Sequence, residues 1–323
     1  MNYNVMKMEQ GCYVPELEKF VITLDYVEEF LIETDIRDNS RDTYRRALKQ
    51  FFVFTDSTDK DMSVLSNRDI AAYKEHLKDQ VLSAYTITLY LVVLRCFFAW
   101  LESNKIYPNI ARNIKGMKKP NGWRKESFTM EQIRQISSSI DKDTPQGKRD
   151  FAIINLLVRT GLRTIEVQRA NIGDITQSGG EAKLYIQGKG RDSKDDFVVL
   201  THSTLQPTMD YFFSCRRNYK DDQALFTSMS DRNYGQRMTT RSISRLIKNA
   251  FILAGIDSPK LTAHSLRHTA ITTALVAGAS LQEVKLMARH SNINTTLVYS
   301  HNIDRVANAP ERKIDEYMAQ VGV

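Results

Sequence analysis

Residues 105–125, KIYPNIARNIKGMKKPNGWRK, constrain the fold of this chain more than any other stretch. Pro108, Gly116, Pro120 and Gly122 interrupt every helical or strand period there. Seven of these 21 residues are basic and none is acidic. A segment of this kind cannot lie inside a packed element, so the chain divides around it. With 323 residues there is room for two ordinary domains.

Before the break the pattern is helical. LDYVEEFLIETD (24–35), NSRDTYRRALKQFFVFT (39–55), NRDIAAYKEHLKDQV (67–81) and AYTITLYLVVLRCFFAWLESN (84–104) each carry apolar residues at helical spacing. The second is expected to start at an Asn39 or Ser40 cap, and the last is apolar enough to sit at the centre. Four helices in so short a length predict a compact bundle. After the break the pattern is mixed. TMEQIRQISSSI and DFAIINLLVRTG read as helices, the second stopping at Gly161. KLYIQGKG (183–190) and DFVVL (196–200) read as a β-hairpin. Helices resume at RSISRLIKNAFILAG, HSLRHTAITTALVAG and SLQEVKLMARH, where Ser280 and Glu283 make a capping box. The expected fold is α+β and mostly helical: an N-terminal four-helix bundle and a C-terminal domain with a small β-sheet. The expected boundaries are an extension at 1–18, a helical domain at 19–113, a basic linker at 114–125 and a second domain at 126–323, with a tail from about 302 to 323.

Composition narrows the function. Apolar residues make up 42% and charged residues 26%, as in globular proteins. No run of about 18 apolar residues suggests a membrane helix, and the N-terminus lacks the apolar core of a secretory signal. Cys12, Cys96 and Cys215 lie far apart, which fits a reducing cytosol and neither a disulfide framework nor a cysteine zinc site. The net charge of +7 is uneven: residues 1–104 hold 12 basic and 17 acidic side chains, and residues 126–323 hold 26 and 21. The cationic break between them suits a phosphate backbone.

Polar groups gather at element ends. Arg163 follows the Gly161 stop, Lys189 lies between two glycines at the hairpin turn, and Tyr299 lies in NTTLVYSH, a segment expected to be capped by Asn294. His264, Arg267 and His268 fall at i, i+3 and i+4 in HSLRH and would share a helix face aimed at a metal, a carboxylate or a phosphate. HSLRH lacks the glutamate of the zinc-protease HExxH pattern, and no acidic cluster nearby completes a metal site.

TGLRTIEV, GKG in a hairpin, HSLRH, ARHS and TTLVYSH, in that order, resemble the tyrosine recombinase (integrase) superfamily, and the likeness runs from about residue 20 to the end. It implies a catalytic set of Arg163, Lys189, His264, Arg267, His290 and Tyr299. Tyr299 would attack a DNA phosphodiester to give a 3′-phosphotyrosine, with neither metal nor ATP. Arg163 and Arg267 would grip the non-bridging oxygens, and His264 would accept the tyrosine proton. Lys189 would protonate the departing 5′-oxygen, with Lys194 as a rival in an acidic hairpin, and His290 would bond the phosphate. Glu166 would orient the set or pair with a surface arginine, and His268 would pack in support. Arg41, Arg45, Lys49, Lys115, Lys118, Lys119, Arg124 and Lys125 are expected to bind DNA. The implied partners are double-stranded DNA with an inverted-repeat core site, three further copies of the chain exchanging tails, and accessory DNA-bending or directionality proteins, all in the cytoplasm and on the nucleoid. The short N-terminal segment fits a Xer-like or small mobile-element recombinase. The competing readings are a topoisomerase IB-like enzyme and a non-catalytic DNA-binding regulator.

Overall fold

The structure is a computed structural model, and it describes residues 7–9, 12–14, 24–60, 62–118, 126–188, 190–215, 219–307 and 310–320. The chain forms two compact units, Met1–Gly122 and Trp123–Val323.

In the first unit, β1 (Lys7–Glu9) and β2 (Cys12–Val14) pair antiparallel ahead of four helices. These are α1 (Leu24–Glu33), α2 (Asp38–Ser57), α3 (Asn67–Asp79) and α4 (Ala84–Ser103). Their apolar stripes meet in an aromatic core. Phe30 meets Phe97 edge-on at 5.4 Å between ring centroids, and Phe51 meets Tyr73 at 5.2 Å, geometries that suit the ring quadrupole. By length and composition α4 could cross a bilayer, contrary to the expectation from the sequence. Here its Leu91, Leu94, Phe97, Phe98 and Leu101 are buried in the bundle.

The start of α2 also departs from expectation. Neither Asn39 nor Ser40 is the cap: Arg37 precedes the helix in extended backbone, and its carbonyl accepts from the N–H groups of Ser40 and Arg41. Starting at Asp38 puts a carboxylate in the first turn, where the helix dipole favours it. Arg45 forks onto Glu28 at 2.7 and 2.8 Å and reaches Asp42 at 3.1 Å, and Arg41 pairs with Asp38 at 3.2 Å. Two of the three α2 cations expected to bind DNA are therefore tied to carboxylates of their own unit. Arg45 joins α2 to α1, and Glu28 is held below the usual carboxylate range by that bond. Lys49 is exposed and has no ion pair among the described residues.

The second unit contains α5 (Met130–Ser139), α6 (Pro145–Thr160) and α7 (Thr164–Arg169). A sheet follows, of β3 (Ile175–Ser178), β4 (Glu181–Ile186) and β5 (Asp196–Leu200), antiparallel in the order β3-β4-β5. Next come α8 (His202–Cys215), α9 (Thr240–Leu253), α10 (Ala263–Val276), α11 (Leu281–Ala288), α12 (Asn294–Ala307) and α13 (Pro310–Gln320). Alternation in β4 buries Ala182, Leu184 and Ile186 against the helices, with Leu184 opposite Val198. The β4–β5 hairpin matches the expectation from sequence, whereas β3 and α8 have no counterpart in it. Buried Ile153, Leu157, Ile243, Phe251 and Leu266 form the core, and α10 packs on α6, α9, α11 and α12. That central helix carries HSLRH.

Candidate active site

Arg163 and His290 sit where an element starts or stops, while Arg267, His268 and Tyr299 lie inside α10 and α12. α6 ends at Gly161, whose φ of 63° and ψ of 22° are left-handed, a conformation glycine adopts freely. Two residues on, Arg163 caps α7 in extended backbone. Glu166 closes the capping box: its Oε2 accepts from the Arg163 backbone N–H at 2.7 Å, and its Oε1 pairs with the Arg163 guanidinium at 2.8 Å. Glu166 is 0% exposed, so it orients Arg163 from inside the unit and does not meet a surface arginine.

α10 supplies the next group. Arg267 is 2% exposed and is the largest fully buried side chain among the described residues. Its Nη1 donates to the Gly161 carbonyl at 2.5 Å and its Nη2 to the Ala288 carbonyl. One guanidinium thus joins the C-terminal ends of α6 and α11, where carbonyls are left over by the helix pattern. A guanidinium has five N–H donors, and these bonds use two. Burial first, then Arg163 and Arg289, lowers its pKa to about 9, which leaves it a cation at neutral pH.

Tyr299 lies on α12, packed with Ile271, Val284 and Ala288 and 5% exposed. Its hydroxyl is hydrogen-bonded to Nδ1 of His268. With the His268 proton on Nε2, the phenol donates. The sequence reading gave the proton-accepting role to His264 and a packing role to His268, but the phenol oxygen sits on His268. His264 is exposed, its ring 4.5 Å from that of His268. A helix face at i, i+3 and i+4 is wide enough for one member to reach solvent while two turn inward. Burial raises the Tyr299 pKa to about 12, and the opposing effect of Arg267 does not cancel it. Ionising it at pH 7 therefore costs about 7 kcal/mol, more than for a free tyrosine.

His290 follows α11. Its Nδ1 bonds the buried hydroxyl of Thr296 at 2.9 Å, and its ring lies 6.4 Å from that of Tyr299. Burial first, then Arg267, Arg163, Arg289 and His264, lowers its pKa to about 4. It is neutral at physiological pH. Asn292, not Asn294, supplies the oxygen that accepts the first free N–H of α12 at 2.9 Å, because the helix begins at Asn294 itself.

A cleft of about 990 Å³ is lined by Arg163, Glu166, Gly188, Phe197, Arg289 and His290 among others. Arg267 and Tyr299 are buried outside its wall. Lys189, expected as the acid, lies outside the described residues, as do Lys119, Arg124 and Lys125. Its rival Lys194 is held by both oxygens of Asp174 at 2.6 and 2.8 Å. Lys115 and Lys118 are exposed. Two residues escaped the sequence reading. Thr296 had no signal beyond its place three residues before Tyr299. Arg289 had one, a cation at the helix end in ARHS where a glycine-like turn is needed.

A mostly helical unit with a three-stranded antiparallel sheet brings three arginines, two histidines and a tyrosine together from α7, α10, α12 and the end of α11, a set suited to an anion beside a tyrosine hydroxyl. Residues 126–305 match the phage integrase family, and residues 24–105 match the phage integrase N-terminal SAM-like domain. The chain therefore belongs to the phage integrase family and is a site-specific tyrosine recombinase. It is 27% identical to tyrosine recombinase XerD of Listeria monocytogenes serotype 4b (strain F2365), over 86% of this chain and 94% of that one. It is 32% identical to tyrosine recombinase XerC of Actinobacillus pleuropneumoniae serotype 7 (strain AP76), over 69% of each. Among solved structures, XerH recombinase bound to a palindromic difH substrate aligns with a TM-score of 0.69 at 21% identity, over 92% of both chains. The Tn1549 transposon integrase bound to circular intermediate DNA aligns at 0.65 and 18% identity, over 85% of this chain and 93% of that one.

Proposed function

We propose that this recombinase breaks and rejoins duplex DNA through a covalent link to Tyr299. The phenol oxygen attacks a phosphodiester, the P–O5′ bond breaks, and a 3′-phosphotyrosine and a 5′-hydroxyl result. The phenol proton passes to Nδ1 of His268, which accepts the phenol hydrogen bond when its own proton is on Nε2. The leaving 5′-oxygen takes a proton from Lys189, a role that rests on the GKG motif alone. One phosphodiester replaces another, so rejoining needs no outside energy.

The observation that carries this reading is the convergence of Arg163, Arg267, His290 and Tyr299 in one unit, close enough to perturb one another's ionisation. Fixed cations aimed at a developing anion lower the barrier without reorganising. The neutral His290 is suited to donate one ring N–H to a non-bridging oxygen.

The partner is duplex DNA, and the protein acts in the cytoplasm, on the nucleoid. Lys49, Lys115 and Lys118 supply exposed charge for its backbone. α13 presents Ile314, Tyr317 and Met318 at i, i+3 and i+4, all exposed, a stripe suited to a groove on another copy in an assembly of four. The boundaries at 19–113, 114–125 and 126–323 would then be a DNA-binding bundle, a cationic strap and a catalytic domain. Incubation with a nicked suicide duplex, followed by peptide mapping, tests the chemistry. An adduct on Tyr299 that is absent from Tyr299→Phe supports it; an adduct elsewhere, or none, refutes it.

A further inference from the structure

Arg289 occupies a backbone position that favours glycine. It follows α11 with φ 53° and ψ 48°, in the left-handed region that disfavours side chains. Its side chain is only 6% exposed. Nη1 donates to the Met287 carbonyl at 2.6 Å, and Nη2 donates to Glu166 Oε2 at 3.0 Å and to the Gly161 carbonyl at 3.3 Å. Its Nε is buried without a hydrogen-bond partner among the described residues. Helix termination alone does not call for any of this, since glycine would end α11 with less strain.

Electrostatics gives the side chain a task. The Glu166 carboxylate is fully buried and contacts both Arg163 and Arg289. With Arg163 alone it would cancel the cation that faces the cleft. Three guanidiniums, of Arg163, Arg267 and Arg289, around one carboxylate leave a net charge of +2. A phosphorane formed during in-line attack carries two negative charges. In a low-dielectric site that match is worth far more than at a surface.

We propose that Arg289 is a positioning residue of the recombinase, offsetting the charge of Glu166 so that Arg163 can hold the scissile phosphate. This deepens the strand-cleavage reading and rests on it. It acts through Glu166, on the floor of the cleft that Arg163, Arg289 and His290 share.

The test compares the rate of adduct formation on a nicked suicide duplex, with melting temperature measured for each protein. Arg289→Gly relieves the backbone strain and should melt no earlier than the native chain, yet form the adduct about a hundredfold more slowly. Glu166→Gln in the Arg289→Gly background restores the net charge and should recover about tenfold of that loss. A native rate in Arg289→Gly overturns the proposal, as does a double variant no faster than the single one, because a purely structural loss would deepen. Should Arg289→Gly melt early, Arg289→Lys decides. A rate within about tenfold of native supports charge compensation, and a rate as low as that of Arg289→Gly with a native melting temperature overturns it. Absence of an adduct with the native chain would instead sink the cleavage reading itself.

Discussion

His290 shows how a single residue carries the field of the whole site. An isolated imidazole titrates near pH 6.5, yet here burial and surrounding guanidiniums lower it to about 4. The folded chain therefore resists protonation there more than the unfolded chain does. The stability this contributes is fully present above about pH 6.5 and is lost as pH falls towards about 4. Urea melts across that window should show a fall in stability that His290→Gln reduces. A variant with an unchanged pH profile would place the imidazole outside the cationic field. The same residue shows what a motif conceals: ARHS announces a histidine, but its lowered pKa comes from burial first and then from Arg267 and Arg163, which are distant in sequence. Tyr299 makes the converse point. Cationic neighbours alone would lower its pKa, and burial beside Ile271 and Val284 reverses the sign.

Among the elements, the end of α6 matters most. The Gly161 carbonyl accepts from Arg267 and Arg289, and its left-handed backbone turns the chain so that Arg163 opens α7. A Cβ at Gly161 would meet Ala270 at 3.5 Å and Met287 at 3.7 Å, which is ordinary contact. Space is therefore not the obstacle to alanine there; φ is. Gly161→Ala should lower stability by about 1–2 kcal/mol, measurable by urea melt, and should slow adduct formation by moving the carbonyl. A neutral substitution would show that the turn tolerates side chains. Most helices were readable because apolar periodicity and caps are local properties, as the Ser280–Glu283 box shows at 2.7 Å between the Ser280 N–H and the carboxylate. The missed starts at Asp38 and Asn294 have a common cause: several adjacent polar residues can each cap, and the competition is decided by where the helix packs. β3 was missed because ITQS is short and has little apolar signal of its own; it is a strand because β4 pairs with it.

At the scale of the molecule, the proposed function calls for assembly and for DNA contact. Truncating the chain after residue 309 removes α13 and should abolish the four-copy complex on paired sites, seen by analytical ultracentrifugation, while single-site binding persists. Unchanged assembly would place the exposed stripe of Ile314, Tyr317 and Met318 elsewhere. Replacing Lys115 and Lys118 with Gln should weaken binding to all sequences and reduce the slope of log affinity against log salt by about 2. An unchanged slope would remove these lysines from the backbone contacts. Neither property is visible in one chain, because both need a second surface.

The sequence by itself determined the two-part division, the helical bundle, the β4–β5 hairpin and which charged, imidazole and phenol side chains fall in the five motifs. Those follow from local periodicity, turn chemistry and the order of five short motifs. Only the tertiary structure decided that His268 rather than His264 holds the phenol, that Glu166 is buried between two arginines, that Arg45 belongs to Glu28, and that Arg289 belongs to the cleft. Each of these is a contact between residues distant along the chain, or a choice between two chemically equivalent neighbours. Burial settles such choices, and burial is a property of packing rather than of sequence order.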